Sequence, residues 1–253
     1  MAAQVIKIGG AALSDPTWLN RFALQARGDT ERIIVHGGGP EVSALSSQLG
    51  LEVVWNGGRR VTSEAALDVA AMVLSGRINK RIVRALCAAG VQAIGISGED
   101  AALLTARVAQ DGALGRVGEI VSVRINVLAQ LAAAGLLPVI SPISTGTDGS
   151  PLNVNADEVA AAVANAVGAE ELLFLTDVDA VRDSHGDRDQ LDTIEARALI
   201  ANQIATGGMA VKLSAAVAAV EAGVARVRVG SLDMMNDSNA GTSIHREGAI
   251  ACQ

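Results

Sequence analysis

The chain has no tyrosine and only two tryptophans and two phenylalanines in 253 residues. With aromatics at 2% and hydrophobic residues at 50%, its core must be built from Ala, Val, Leu and Ile. Alanine-rich helices packed on Val/Ile strands meet that description and point to an α/β protein. Lysine is nearly absent too: of 20 basic residues only Lys7, Lys80 and Lys212 are lysine. A chain that uses Arg for almost every positive charge has kept Lys where a compact point charge is needed instead of a planar fork. Cysteine is limited to Cys87 and Cys252, far apart and without CxxC spacing, which suits small buried or terminal thiols. No apolar run reaches transmembrane length without polar interruption. The first strand is expected from about Val5, leaving no room ahead of it for a targeting segment, and the expected compartment is a reducing cytoplasm. A net charge of −7 argues against general nucleic-acid binding, because nothing offsets phosphate repulsion.

What is present is a repeated βα pattern. Gln4 to Ile8 reads as a buried strand ending in Gly9-Gly10, followed by a helix from Pro16 with Asp15 as N-cap. Arg32 to His36 is a second strand, running into Gly37-Gly38-Gly39-Pro40 and a helix to about Gln48. Asn56-Gly57-Gly58-Arg59 signals a hairpin, and Thr62 or Ser63 caps a long helix from Glu64 to Ala88. Further strands are expected at 91–96, 137–143, 172–175 and 226–229. A hairpin is expected over 103–120, a turn at Asp148-Gly149, and helices near 124–134, 156–167, 193–201 and 209–222. Such hydrophobic strands separated by helices describe a parallel sheet covered on both faces. Ligands bind beyond the carboxyl ends of such strands, and the segments 9–10, 36–39, 97–100 and 176–177 all fall there, predicting one extended site.

Two of the three lysines lie beside paired glycines, Lys7 before Gly9-Gly10 and Lys212 after Gly207-Gly208. Backbone that can approach a ligand closely, next to an ammonium, suits phosphate. Gly37-Gly38-Gly39 opening a helix is either an anion cradle or a tight turn. An esterase oxyanion loop is excluded because no G-x-S-x-G is present, and neither G-x-x-x-x-G-K-[ST] nor G-x-G-x-x-G occurs. Asn155 can cap the helix after it, with Asp157 favouring the positive helix end; alternatively Asn153 and Asp157 face a site. Arg59-Arg60 is either a solvated pair or a hairpin arm whose Arg60 recognises a carboxylate. His36 and His185 have no partners at metal-ligand spacing, and no protein metal site is expected.

Taken together these motifs resemble the acetylglutamate kinases of the amino acid kinase family. The resemblance rests on Lys7-x-Gly9-Gly10, His36-Gly37-Gly38-Gly39, Arg60-Val61-Thr62, the helix from Asp68 through Asn79-Lys80, Asn153-x-Asn155-Ala156-Asp157, Thr176-Asp177-Val178 and Gly207-Gly208-Met209-x-x-Lys212, in that order. It implies a three-layer αβα sandwich with a central, mainly parallel sheet. Residues 1–168 would form a lobe for the acyl-amino acid and the phosphoryl group, and residues 169–253 a lobe for MgATP. The implied reaction is ATP-dependent phosphorylation of the side-chain carboxylate of N-acetyl-L-glutamate, the second step of arginine biosynthesis, with Mg²⁺ carried mainly by the nucleotide phosphates.

By the same resemblance Lys7 and Lys212 would flank the transferring phosphoryl group, with Asp157 organising both. Gly9, Gly10, Gly37, Gly38 and Gly208 would offer backbone to phosphates or substrate. Arg60 and Asn153 would hold the acyl-amino acid, and Thr176, Asp177, Val178 and Met209 would lie against the nucleotide. Lys80 reads as a charge late in a helix. A carboxylate nucleophile, with a pKa near ~4.3, needs no general base, which accounts for the absence of an acid–base pair. Ala101 follows Asp100 where the family often has Gly, and the early first strand leaves no place for the extra helix of arginine-inhibited hexamers, so an arginine-insensitive homodimer is expected. Related substrates, carrier-linked α-aminoadipate or N-succinylglutamate, remain alternatives. A non-catalytic effector-binding homologue would be expected to have lost a site lysine.

Overall fold

The computed structural model describes residues 4–28, 31–56 and 59–248. Eight strands form one sheet in the order Gln190–Asp192, Thr242–His245, Arg226–Gly230, Glu171–Leu175, Gln4–Ile8, Arg32–His36, Leu137–Ser141, Ala93–Ser97. The last six run parallel, whereas Thr242–His245 is antiparallel to Arg226–Gly230 and carries Gln190–Asp192 with it. Alternation along the central strands divides the core. Val5, Val35, Leu172 and Phe174 face one cluster, and Ile6, Ile34, Leu173 and Leu175 face the other. A strand with no polar face must be covered on both sides. Helices Ile125–Ala133, Ala156–Val167, Thr193–Ala201 and Gly207–Ala222 cover the first side, with Pro16–Gln25, Gly39–Gln48 and the run from 64 to 88 on the second. The expected αβα sandwich with a mainly parallel sheet is therefore the fold. Alanines supply much of the helix packing, among them Ala160, Ala164, Ala216 and Ala219.

Local signals act as read. Asp15 accepts from the Thr17 amide at 2.8 Å, and Ser63 accepts from the Ala66 amide at 3.2 Å. Trp55 pairs with Arg60 and Asn56 with Arg59 across the expected hairpin, whose Gly57-Gly58 turn lies outside the described residues, as does Cys252. Cys87 is exposed, not buried.

Three expectations change. The long helix is not continuous: Glu64–Ala71 passes into a π-helical stretch, Met72–Ile78, before Asn79–Ala88 resumes. Pro142 breaks the expected strand 137–143, because it cannot donate to a ladder. Leu137–Ser141 stays in the large sheet, whereas Ile143–Gly146 joins Pro151–Val154, Val117–Val123 and Leu104–Val108 in a small closed sheet. Asn153 stands on the strand Pro151–Val154. Lys80 lies in the first turn of Asn79–Ala88, so it does not neutralise a helix C-terminus; its Nζ donates to Gly95 O at 2.8 Å on the edge strand. The short strands Val181–Asp183, Gly186–Arg188, Gln190–Asp192 and Thr242–His245 carried too few alternating residues to be anticipated.

Candidate active site

Lys7 leaves the sheet between two parallel neighbours, in register with Val35 and Phe174. It is only 5% exposed. Its Nζ sits 2.9 Å from Asp157 Oδ1, and Lys212 Nζ lies 3.9 Å from Asp157 Oδ2. One carboxylate thus serves two ammonium groups that are 205 residues apart in sequence. Asp157 stands in the first turn of Ala156–Val167, where negative charge is favoured by the helix dipole. Asn155 caps that helix by accepting from the Asp157 amide at 2.8 Å, while Asn153, Asn155 and Asp157 also line one cavity. Asp157 Oδ1 is buried and accepts no aligned hydrogen bond among the described residues: its contact with Lys7 is a charge pair held off the bonding axis.

Burial lowers the pKa of Lys212 below its ordinary value, and the neighbouring Lys7 charge adds to this; Asp157 and then Asp177 oppose it. Both lysines line a cavity of about 280 Å³ together with Gly9, Gly10, Gly37, Gly38, Arg60, Asn153, Asp157 and Gly208. A Cβ on Gly9 would stand 2.7 Å from Lys7 Nζ and push the ammonium from its place. A Cβ on Gly38 would meet Ile78 Cδ1 and lie 2.9 Å from Leu74 Cδ2. Glycine lets both segments close on the same small volume.

Arg60 is buried, with its guanidinium 4.5 Å from the Trp55 ring centroid. Its Nη2 donates to Gly39 O at 2.9 Å and Ser43 Oγ at 2.6 Å, while Nε and Nη1 have no partner among the described residues. Half the fork is free for a carboxylate. Thr62 links the other substrate candidate to it: Asn153 Nδ2 donates to Thr62 Oγ1 at 3.3 Å, and Thr62 Oγ1 donates to Arg60 O at 2.7 Å. Arg59, read as one of a solvated pair, instead ties the hairpin to Glu119 at 3.0 Å and Glu158 at 2.9 Å.

Thr176, Asp177, Val178 and Met209 lie outside this cavity. The first three follow the strand beside that of Lys7, and Thr176 Oγ1 donates to Asp177 Oδ1 at 3.0 Å. Met209 packs partly buried against the helix layer near Lys212. The segment 97–100 does not join the site: Asp100 closes its own turn by accepting from the Ser97 amide at 2.6 Å, at the end of the edge strand. Trp55 was not anticipated as a site residue, yet its 53% exposure in so aromatic-poor a chain is a signal of use. Three larger hollows among the described residues hold no lysine pair, one of them about 640 Å³ beside Arg226 and His245. Another of about 420 Å³ opens at the amino-terminal ends of the strands, and an alanine-lined groove of about 1040 Å³ runs between Ala156–Val167 and Gly207–Ala222.

Among the described residues no three His, Cys, Asp or Glu side chains converge to hold an ion, and no helix is long and apolar enough to cross a membrane. The arrangement offers two ammonium groups and glycine backbone around a small volume, with half an arginine fork at its rim. It can hold two anions close together.

A model of the amino acid kinase family matches residues 3–231. A protein named acetylglutamate kinase from Chloroflexus aurantiacus is 44% identical over 92% of this chain and 93% of its own. Another of that name, from Symbiobacterium thermophilum, is 40% identical over 95% and 90%. Among solved structures, the N-acetylglutamate synthase from Neisseria gonorrhoeae complexed with coenzyme A and N-acetyl-glutamate superposes with a TM-score of 0.84 at 28% identity. It is covered over 60% of its length by 98% of this chain.

Proposed function

Because the chain belongs to the amino acid kinase family, we propose that it transfers the γ-phosphoryl group of ATP to the side-chain carboxylate of N-acetyl-L-glutamate, forming an acyl phosphate for arginine biosynthesis. The single observation that carries this reading is the pair of lysines held on Asp157 in the lining of the glycine-rich cavity. Phosphoryl transfer between two anions asks the protein for position and positive charge, not for proton transfer. A carboxylate is already ionised at neutral pH, so a site without an acid–base pair suffices. Lys7 and Lys212 stabilise charge on the equatorial oxygens, and Asp157 keeps both ammonium groups aimed at them. Relatives of 40–44% identity that carry the name acetylglutamate kinase over nearly the whole chain support the choice of acceptor.

In this reading residues 1–168 hold the acyl-amino acid and the phosphoryl group, and 169–253 the nucleotide, with Thr176, Asp177, Val178 and Met209 against it. Mg²⁺ arrives on the ATP phosphates. The enzyme works as an arginine-insensitive homodimer in the cytoplasm; light scattering that gives a hexamer, with inhibition by low arginine, would contradict that. ADP release and hydroxamate trapping with N-acetyl-L-glutamate, N-succinylglutamate and α-aminoadipate derivatives test the acceptor. Highest kcat/KM on N-acetyl-L-glutamate is expected, and ATP binding without turnover on any of them would refute the reading.

Arg60 gives a separate check. Its free donors meet a substrate carboxylate and not the phosphates, so Arg60→Ala should raise KM for the acyl-amino acid, ~10²-fold by the loss of a charge-assisted fork worth about 2–3 kcal/mol, with KM for ATP little changed. An effect confined to ATP would assign Arg60 elsewhere.

A further inference from the structure

His36 has no part in the chemistry above, yet it is fully buried at the carboxyl end of Arg32–His36, one residue from the glycine loop. Both ring nitrogens are engaged. Nδ1 lies 3.0 Å from Gly37 O, and Nε2 lies 3.2 Å from Asn79 Nδ2. The Asn79 amide is oriented by its donation to Val139 O at 2.9 Å and by Lys80 Nζ, which donates to its Oδ1 at 3.1 Å. An amide nitrogen only donates, so Nε2 accepts and Nδ1 carries the proton that goes to Gly37 O. One neutral tautomer satisfies every contact. Burial, joined by the charges of Lys7, Arg81 and Lys80, keeps the ring in that form by lowering its pKa to about 4 against the opposing Gly37 carbonyl.

The π-helical stretch explains why Asn79 is there. Its amide bonds back to Leu74 O, five residues earlier, which stands Asn79 over Leu74. Leu74 and Ile78 are the side chains that press on Gly38 from below. One segment therefore both supports the glycine loop and supplies the group that orients the imidazole.

In a trans peptide the carbonyl and the next N–H point in opposite directions. Holding Gly37 O towards His36 turns the Gly38 N–H away from the imidazole, towards the cavity that Gly37 and Gly38 line. The Gly38 amide has no partner among the described residues. A run of three glycines would otherwise sample many conformations, because none has a Cβ to restrict it.

We propose that His36 is a positioning residue: held by Asn79, it fixes the Gly37 carbonyl and so presents the Gly38 N–H as a preset donor to the transferring phosphoryl group. The proposal rests on the phosphoryl-transfer reading and deepens it. A donor fixed before the reaction needs no reorganisation during it, so its effect falls on kcat.

The test compares two amides at position 36. In His36→Asn the shorter side chain puts its amide where Nδ1 was, and in His36→Gln the longer one puts it near Nε2. His36→Gln should lose kcat by ~10–100-fold, somewhat less than outright removal of a donor, with both KM values nearly unchanged; His36→Asn should recover most of it. Equal loss in both variants, or loss expressed in KM, overturns the proposal. A second measurement uses the unaltered protein. The Gly38 amide proton should shift downfield when ADP, aluminium fluoride and the accepted acid are added together, and an unmoved resonance also overturns it. Wild-type turnover on the acid panel tests the reaction itself, whereas the variant-to-wild-type ratio on whichever acid is accepted tests His36, so the two can fail separately.

Discussion

Lys7→Arg is expected to reduce kcat by ~10²–10³-fold, the range for loss of one aimed electrostatic group, while leaving the fold intact. The charge is conserved, so the effect isolates shape. The Lys7 ammonium occupies a gap between the Gly9 backbone, where even a Cβ would lie 2.7 Å away, and Asp157 Oδ1 at 2.9 Å. A guanidinium is wider, planar and longer, and it would sit bidentate on Asp157 and leave the phosphoryl position. Steady-state kinetics together with a thermal melt settle the matter. Near wild-type turnover would remove Lys7 from the chemistry and with it the reading of the cavity. Lys212→Arg should behave alike, since Lys212 shares the same carboxylate.

Asp157→Asn should be the more damaging change. It removes the carboxylate shared by the buried Lys7 and the part-buried Lys212, with Asp177 the remaining group that opposes the lowering at Lys212; loss of one partner costs about 3–5 kcal/mol in comparable buried pairs. Turnover falls because neither lysine is held, and urea unfolding should show the stability loss directly. The pH dependence has a definite sign. Lys212 is already lowered by burial and by Lys7, and Asp157 is the first of the groups that resist this. Without it the folded chain releases the Lys212 proton at still lower pH, so the alkaline limb of kcat moves towards neutrality. Between that lowered value and the ordinary lysine pKa the unfolded chain binds more protons than the folded one, so the variant regains stability as pH rises. Inorganic phosphate should stabilise the variant more than the wild type. Equal melting of both proteins from neutral to alkaline pH would argue that Asp157 bears no charge coupling at all.

Much of this was legible in the residues. The strands alternate between two apolar faces, the caps Asp15, Ser63 and Asn155 do what their side chains allow, and the rarity of lysine led directly to Lys7 and Lys212. The interruptions were not legible. A π turn leaves no mark in hydrophobic spacing over seven residues, because Val73, Leu74 and Ile78 satisfy an α-helical face equally well. Asn79 entered only as part of a helix motif, yet it is 1% exposed and bonded across two strands. His36 was judged by its spacing to metal ligands, whereas its partners are a backbone carbonyl and an amide from a helix 43 residues away. Arg228 shows the same limit: in a chain that uses Arg for solvated charge, this one is 2% exposed and bonds Glu171 and the carbonyls of Met234, Asp237 and Ala240. Long-range pairing decides such residues, and local pattern carries no trace of it.

The strand order has a consequence for how the molecule is made. Gln4–Ile8 lies between Arg32–His36 and Glu171–Leu175, so one of its edges finds a partner about thirty residues on and the other only after some 167. While the chain is being synthesised, the strand bearing Lys7 must wait with an open hydrogen-bonding edge until the distant segment emerges. Such an edge is a site for wrong pairing and a natural client for a chaperone. In refolding from denaturant, recovery of the helical signal should run ahead of recovery of kinase activity, because the two lysines can meet on Asp157 only when that last gap in the sheet is filled. Simultaneous recovery of both signals would mean that the central strand is docked from both sides at once.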